Sequence, residues 1–441
     1  MSQDLSPAES FADRALGAWL GLAVGDALGT TLEFSRRDSE PHHTEMIGGG
    51  PFRLQPGVWT DDTSMALCLA DTLLATGEVD PRDLITRFIS WWRDGEYSVT
   101  GSCFDIGNTT RAALERFERT GDPLAGDPAA PAAGNGSLMR LAPVALFYCD
   151  DRETAGCAAR LQSQTTHAAD ECLDACEAFA HLLIDAFAGK PKAELLNGAP
   201  TRTAGQVAEI LAGSWRAKPR ADISSSGYVI HTLEAALWAV GQASSFEEAL
   251  VLAVNLGDDA DTVGAVTGQL AGAIWGASAI PPRWIERLAW RDQLERTGKA
   301  LLRKGAAAQG LTAYLRPHDG PPDAPDWLDQ VAHGAWAAIP PDLAYDDSIV
   351  FAHMLNGYVM AERLGFGHAS EVAHAAFARH RETGAWSGSA VELWITLFFQ
   401  HRADRFTVML TAPEPQPHLD ALCQTLRRQL MAGDIWPGAS T

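Results

Sequence analysis

Four glycines at a strict spacing constrain this chain more than any other feature. In "RALGAWLGLAVGDALGTTLEF", Gly17, Gly21, Gly25 and Gly29 recur every four residues along an apolar run. Residues four apart share one face of a helix, so the run predicts a helix with a bare stripe. Such a stripe lets another backbone come close, and the reading is tight helix packing inside a fold. The apolar stretch from Ala15 to Val24 is too short to span a bilayer and meets Asp26 at once, so a membrane motif is excluded.

The second constraint is charge at the mouth of buried helices. "NLGDDADTVGAVTGQLAGAIWG" places Asp258, Asp259 and Asp261 directly before a glycine- and alanine-rich apolar segment suited only to a core. "WTDDTSMALCLADTLLATG" repeats the idea: Thr60, Asp61 and Asp62 open a helix whose apolar face runs through Met65, Leu67, Leu69 and Leu73. Thr and Asp at such positions accept free N–H groups of the first turn and suit the positive end of the helix dipole. Capping accounts for one or two acids per helix, not for five in two clusters. Carboxylates gathered inside a fold repel one another and resist ionising unless a cation compensates them. Asp carboxylates with Thr hydroxyls form an oxygen-only set, which suits Mg²⁺ or Mn²⁺ and not zinc. The metal reading requires the two clusters to meet in space. Asp26 and Glu33, at the end of the glycine stripe, join them as candidates.

The rest reads as an all-α fold. "DECLDACEAFAHLLIDAFAG" sets Cys176, Ala180, Leu183 and Phe187 on one stripe and stops at Gly189, while "GYVIHTLEAALWAV" does the same with Val229, Leu233, Ala236 and Val240. The best strand candidate is "FTVMLTA", near Thr407. "RPHDGPPDAPDW", from Arg316 to Trp327, breaks the composition with prolines and charges. It divides the chain into a domain at 1–317 and an accessory, mainly helical domain at 318–441 carrying "DSIVFAHMLNGYVMAERLG" and "SAVELWITLFFQHR". The histidines of that second part show no metal-ligand spacing. A net charge of −22 argues against a nucleic-acid partner. The seven cysteines have irregular spacing and complete no zinc set, so they read as reduced core thiols of a cytoplasmic protein. "MSQDLSPAES" has neither a basic nor an apolar signal-peptide region. In "GNGSLMRLAPVAL", Gly134, Asn135 and Gly136 precede an expected helix, a place where free N–H groups hold a phosphate or where a simple turn meets a cap.

Six blocks occur in order: "GLAVGDALGTTLEF", "PGVWTDDTSMALCLADTLL", "FDIGNTTRAAL", "GNGSLMRLAPVAL", "GYVIHTLEAALWA" and "NLGDDADTVGAVTGQLAGA". Together they resemble the ADP-ribosylglycohydrolases of the dinitrogenase reductase-activating type, over roughly the first 310 residues. The resemblance implies an all-α domain with a central cleft holding two Mg²⁺ or Mn²⁺ ions. It implies Thr60, Asp61, Asp62, Asp259, Asp261 and Thr262 as metal ligands, with Asp258 a supporting or capping acid. It implies catalytic roles for Glu33 and Asp105, either of which moves the proton. It implies that Gly134, Asn135, Gly136 and Ser137 hold the diphosphate, that His167 of "TTHAAD" matches a Thr-His pair, and that Tyr228 lines the cleft mouth. His167 reads equally well as a satisfied core or capping residue. The expected activity is release of ADP-ribose from a modified protein, with arginine the leading acceptor. The alternatives are O-linked or small-molecule ADP-ribose conjugates, or a non-catalytic ADP-ribose-binding protein. Neither nucleic acid nor membrane is an expected partner.

Overall fold

The computed structural model describes residues 7–197 and 205–308, all of them helices and connecting turns. The 317/318 domain boundary, the two C-terminal helices and the strand candidate near Thr407 lie outside the described residues.

The helices are α1 (Pro7–Gly29), α2 (Asp61–Thr76), α3 (Pro81–Asp94), α4 (Asn108–Thr120), α5 (Ala142–Phe147), α6 (Arg152–Gln164) and α7 (Asp170–Phe187). They continue as α8 (Lys192–Leu195), α9 (Gly205–Leu211), α10 (Val229–Gln242), α11 (Phe246–Val254), α12 (Ala260–Trp275), α13 (Pro282–Ile285) and α14 (Arg291–Ala308). Among the described residues β-pairing is confined to three isolated bridges. The all-α expectation holds.

Two central helices organise the rest. Every residue from Gly17 to Gly29 on α1 and from Ala260 to Ala273 on α12 is buried. A helix apolar all round belongs inside a fold. The two run antiparallel with their backbones in direct contact. A Cβ on Gly17, Gly21 or Gly25 would overlap the carbonyl oxygen of Gly272, Gly268 or Gly264, and one on Gly29 would overlap that of Ala260. The relation is reciprocal, because Cβ atoms on Gly264, Gly268 and Gly272 would strike α1 carbonyls. The bare stripe on α1 therefore faces a second glycine stripe at the same spacing on α12. Helices α2, α5, α7, α10, α11 and α14 pack around this pair.

By length and composition the stretch Ser10–Leu32 is enough to cross a membrane, longer than the ten-residue core of the sequence reading. Its window is 89% buried inside the fold, so burial rather than shortness argues for a core helix.

The local signals work as their chemistry dictates. Asp80 caps α3, its carboxylate accepting from the Arg82 and Asp83 N–H groups, and Pro81 follows it. Helix α2 ends at Gly77, whose φ of 85° only glycine adopts without strain. Gly189 at φ 83° terminates α7. The apolar stripes expected on α2, α7 and α10 are all buried.

Candidate active site

The glycine contact decides where the acids go. By running α1 against α12 without side chains between, it brings the C-terminal end of α1 to the N-terminal end of α12. Asp26 and, just beyond the helix, Glu33 thus meet Asp259 and Asp261. Asp26 then recruits α2. Its Oδ1 accepts from Thr60 N at 2.8 Å and Thr60 Oγ1 at 3.0 Å, and its Oδ2 from Thr63 N at 3.0 Å and Thr63 Oγ1 at 2.6 Å. Four hydrogen bonds from one carboxylate fasten the start of α2 to α1. Three helix ends converge, two of them N-termini whose dipoles favour negative charge.

The two acidic clusters meet in space. Thr60 Oγ1 lies 3.2 Å from Asp261 Oδ2 and 3.3 Å from Asp62 Oδ2, and Thr262 Oγ1 lies 3.4 Å from Asp62 Oδ2. A hydroxyl carries one proton, and Thr60 Oγ1 faces three carboxylate oxygens, counting Asp26. Oxygens of Asp26, Asp62 and Asp261 lie within 4.8 Å of one another, as do those of Glu33, Asp105 and Asp261. Asp261 is common to both groups. Asp26 already spends both its oxygens on α2, which makes it a brace.

Helix capping by the clusters themselves, expected as a secondary role, is confined, among the described residues, to Asp261, whose Oδ1 accepts from the first-turn Thr262 N at 2.8 Å. Thr60 and Asp259 occupy the N-cap positions of α2 and α12, yet neither side chain accepts a helix N–H. The Thr60 hydroxyl turns to carboxylates, and Asp26 caps α2 from another helix. Asp259 Oδ2 accepts from Asn135 Nδ2 at 2.6 Å instead. Asp258 acts through its backbone: Phe34 N donates to its carbonyl at 2.6 Å and its own N–H donates to Ser35 O at 2.8 Å. Phe34 and Asp258 both sit at positive φ, 58° and 60°, so two strained residues clamp Glu33 beside α12. Asp105 is strained in the same way, at 58°.

Burial and mutual repulsion push these carboxyls up. Glu33 is pushed up to about 12, first by burial and then by Asp261 and Asp105. Asp105 rises to about 9 and Asp259 to about 7, while Asp26 and Asp261 rise to about 6, burial being the first cause in each. Asp61 and Asp62 stand well above the ordinary carboxylate range. None of the ion pairs among the described residues reaches this set. Two buried oxygens, Glu33 Oε2 and Asp62 Oδ1, have no hydrogen-bond partner among the described residues. Crowded acids without a counter-cation and orphaned carboxylate oxygens together fit a hard divalent cation.

The glycine loop departs from the expectation in one respect. Helix α5 starts only at Ala142, with Pro143 in its first turn, so residues 135–140 form turns and the loop does not open directly onto a helix. Leu138 and Leu141 are fully buried, and Asn135 is engaged with Thr232 Oγ1 at 2.8 Å as well as Asp259, which folds the loop inward. Gly134 bridges Tyr228 backbone to backbone. The Tyr228 hydroxyl reaches Gln206 at 2.8 Å, and its ring meets that of His231 edge-on. Ser137 is fully buried, its hydroxyl bonded to Ser163 at 2.8 Å, so only its backbone is left for a ligand. His167 is buried with its Nδ1 2.8 Å from Thr166 Oγ1 and its ring laid against Gly134 and Gly136.

On the other flank, Phe34 is 66% exposed. Its ring meets Phe52 edge-on, and Phe52 packs at a tilt against Phe104, next to Asp105. A cavity of about 650 Å³ borders Glu33, with Glu40, Glu45 and Ile47 also in its wall.

Sequence reasoning missed the glycine stripe of α12, whose residues 264, 268 and 272 repeat the four-residue spacing, and the bracing roles of Asp26 and Asn135. The first was readable from spacing alone. The other two needed the contacts.

Known proteins match this chain along the described part. A sequence model of ADP-ribosylglycohydrolase fits residues 7–310. An ADP-ribosylarginine hydrolase Tri1 of Pseudomonas putida is 47% identical over 311 residues, covering 70% of this chain and 83% of that protein. The enzyme of the same name from Serratia proteamaculans is 43% identical over 297 residues, with 67% and 81% covered. An ADP-ribosyl-[dinitrogen reductase] glycohydrolase of Rhodospirillum rubrum is 34% identical over 297 residues, with 64% and 92% covered. A solved structure titled ADP-ribosylglycohydrolase-related protein complex aligns at a TM-score of 0.60 and 47% identity, over 67% of this chain and 98% of that one.

Proposed function

Because the chain belongs to the ADP-ribosylglycohydrolase family, we propose that it hydrolyses the N-glycosidic bond between ADP-ribose and arginine side chains of modified proteins, with two Mg²⁺ or Mn²⁺ ions. One observation carries the reading: acids from three helix ends converge on Asp261, with two carboxylate oxygens left unpartnered. The two ADP-ribosylarginine hydrolases at 47% and 43% identity support arginine as the acceptor. The free, buried thiols of Cys68, Cys172 and Cys176 suit a reducing, cytoplasmic setting.

Thr60, Asp61, Asp62, Asp259, Asp261 and Thr262 would hold the ions, Asp261 being the acid common to both carboxylate groups. When bound, the ions supply the positive charge that lets these carboxylates ionise together and that orients the ribose hydroxyls. The protein's own groups do the rest. Gly134, Asn135, Gly136 and the Ser137 backbone, with His167, receive the diphosphate on the Asp259 side, and Tyr228 borders the mouth. The scissile bond then lies toward Glu33 and Asp105. Oxygens of these two carboxyls lie within 4.8 Å of each other and repel when both ionised, so the pair retains a proton for the leaving guanidine. Carboxylates around the distal ribose stabilise the oxocarbenium-like charge that develops as the bond breaks. The leaving group departs past Phe34 and the cavity walled by Glu33, Glu40 and Glu45, whose aromatic face and acids suit a cationic guanidinium better than a neutral hydroxyl.

The test is ADP-ribose release from proteins modified on arginine, serine or glutamate, with Mg²⁺, Mn²⁺ or chelator. The reading expects release from arginine alone, abolished by chelator. Release from serine with arginine untouched would overturn the acceptor, and release undiminished in chelator would overturn the metal centre.

A further inference from the structure

Arg140 is a fully buried cation that meets no carboxylate among the described residues. Its Nε donates to Gln162 Oε1 at 2.8 Å, and its Nη2 to Gln162 O at 2.9 Å, Thr165 Oγ1 at 3.3 Å and Thr166 Oγ1 at 3.0 Å. Its guanidinium stacks on the Phe88 ring at 4.6 Å. A buried charge held only by neutral groups is costly, and its position behind the glycine loop calls for an account.

The account runs through Thr166. Its hydroxyl has one proton and has two neighbours among the described residues, Arg140 Nη2 and His167 Nδ1, the latter at 2.8 Å. Arginine only donates, so the Thr166 oxygen accepts from Arg140 and its proton has one acceptor in reach, Nδ1. Were Nδ1 protonated, the Thr166 hydroxyl proton would be buried without an acceptor, which is unfavourable. The imidazole proton therefore sits on Nε2. That nitrogen faces the loop: a Cβ on Gly134 would lie 3.2 Å from Nε2, and one on Gly136 would lie 3.1 Å from it. Nε2 has no hydrogen-bond partner among the described residues, although the residue is only 2% exposed. Burial, with Arg140 behind it, lowers the imidazole to about 3, which keeps it neutral.

We infer that Arg140 and Thr166 are positioning residues that lock His167 as its Nε2–H tautomer, presenting one fixed neutral donor to the diphosphate of ADP-ribose at the Gly134–Ser137 loop. The ligand named here rests on the functional reading above. The glycines at 134 and 136 are then explained by the ring that occupies their side-chain space.

Two measurements on the full chain with Mg²⁺ test the lock. Long-range ¹H–¹⁵N spectra report the ring tautomer of the wild type directly, with the His167 signal identified by its loss in His167→Gln. Calorimetry with ADP-ribose and steady-state kinetics then compare Thr166→Val and Thr166→Ser. The expected results are an Nε2–H ring and about tenfold weaker binding and higher KM in Thr166→Val at unchanged kcat, with Thr166→Ser near wild type. An Nδ1–H ring in the wild type overturns the lock without any need for the valine variant to fold. Wild-type binding that Thr166→Val leaves intact overturns the lock alone. A wild type that binds no ADP-ribose overturns the functional reading, and with it the ligand assigned to this donor.

Discussion

The starts of α2 and α12 carry nearly the same residues, Thr-Asp-Asp against Asp-Ala-Asp-Thr, yet they are held by different physics. The α2 end is fastened by charge, with the Asp26 carboxylate accepting four hydrogen bonds from Thr60 and Thr63. The α12 end is placed by backbone proximity, through glycines that leave no room for a side chain, and is trimmed by one neutral amide from Asn135. The difference shows that similar acidic motifs reach one site by separate routes. The Asp26 brace and the Asn135 amide can each be cut without touching the other.

The deepest cut removes both. In Gly25→Ala the new Cβ would overlap the Gly264 carbonyl, and neither helix backbone can retreat from a core it fills. Denaturant unfolding should show a loss of at least about 3 kcal/mol, or no folded protein. A stable Gly25→Ala protein would mean that α1 and α12 are not in backbone contact.

Cutting only the α2 brace costs less. Asp26→Asn replaces one acceptor oxygen by a donor facing Thr N–H or O–H groups. It should cost about 2 kcal/mol of stability and displace Thr60, lowering turnover together with it. Activity unchanged beside that stability loss would separate Asp26 from the site.

The acids also set a pH dependence in the metal-free protein. Their folded pKa values lie above the ordinary carboxylate range, so the fold prefers the protonated forms. The resulting stabilisation is fully present below that range. It is lost as pH rises through about 6 for Asp26 and Asp261, about 7 for Asp259 and about 9 for Asp105. Between pH 5 and pH 8, Tm in chelator should fall by roughly 5 °C, and Mg²⁺ or Mn²⁺ should restore it at the higher pH. A Tm that rises over this range in chelator would show that the carboxylates are already compensated.

The smallest effect is expected at Asn135. Asn135→Ala removes the amide from Asp259 and should cost under about 1 kcal/mol of stability while weakening Mn²⁺ binding roughly tenfold. Equal losses of stability in Asn135→Ala and Asp26→Asn would erase the contrast between the two helix starts.

What the sequence made legible follows the range of the forces involved. Helix starts and stops depend on neighbouring residues, so Gly77, Gly189 and the stripes of α2, α7 and α10 were readable. The glycine stripe on α1 was readable as a demand for a close neighbour, but a stripe names no partner. Asp26 was visible as an acid near the site, not as the cap of a helix starting 35 residues later, because nothing local encodes that contact. The acids themselves were found because their crowding is unfavourable without a cation, whatever the fold. The Gly134–Ser137 loop was misjudged where an apolar run after glycine looked helical, while its residues were being drawn inward by Asn135 and by the buried Leu138.

The central claim is that two acidic clusters form one metal centre through Asp261. Titration of the metal-free protein with Mn²⁺ in a calorimeter, beside Asp261→Asn, tests it most directly. The account predicts two ions per chain in the wild type and the loss of both sites in the variant, since that residue belongs to both carboxylate groups. An Asp261→Asn protein that folds and still binds both ions with wild-type affinity would contradict it.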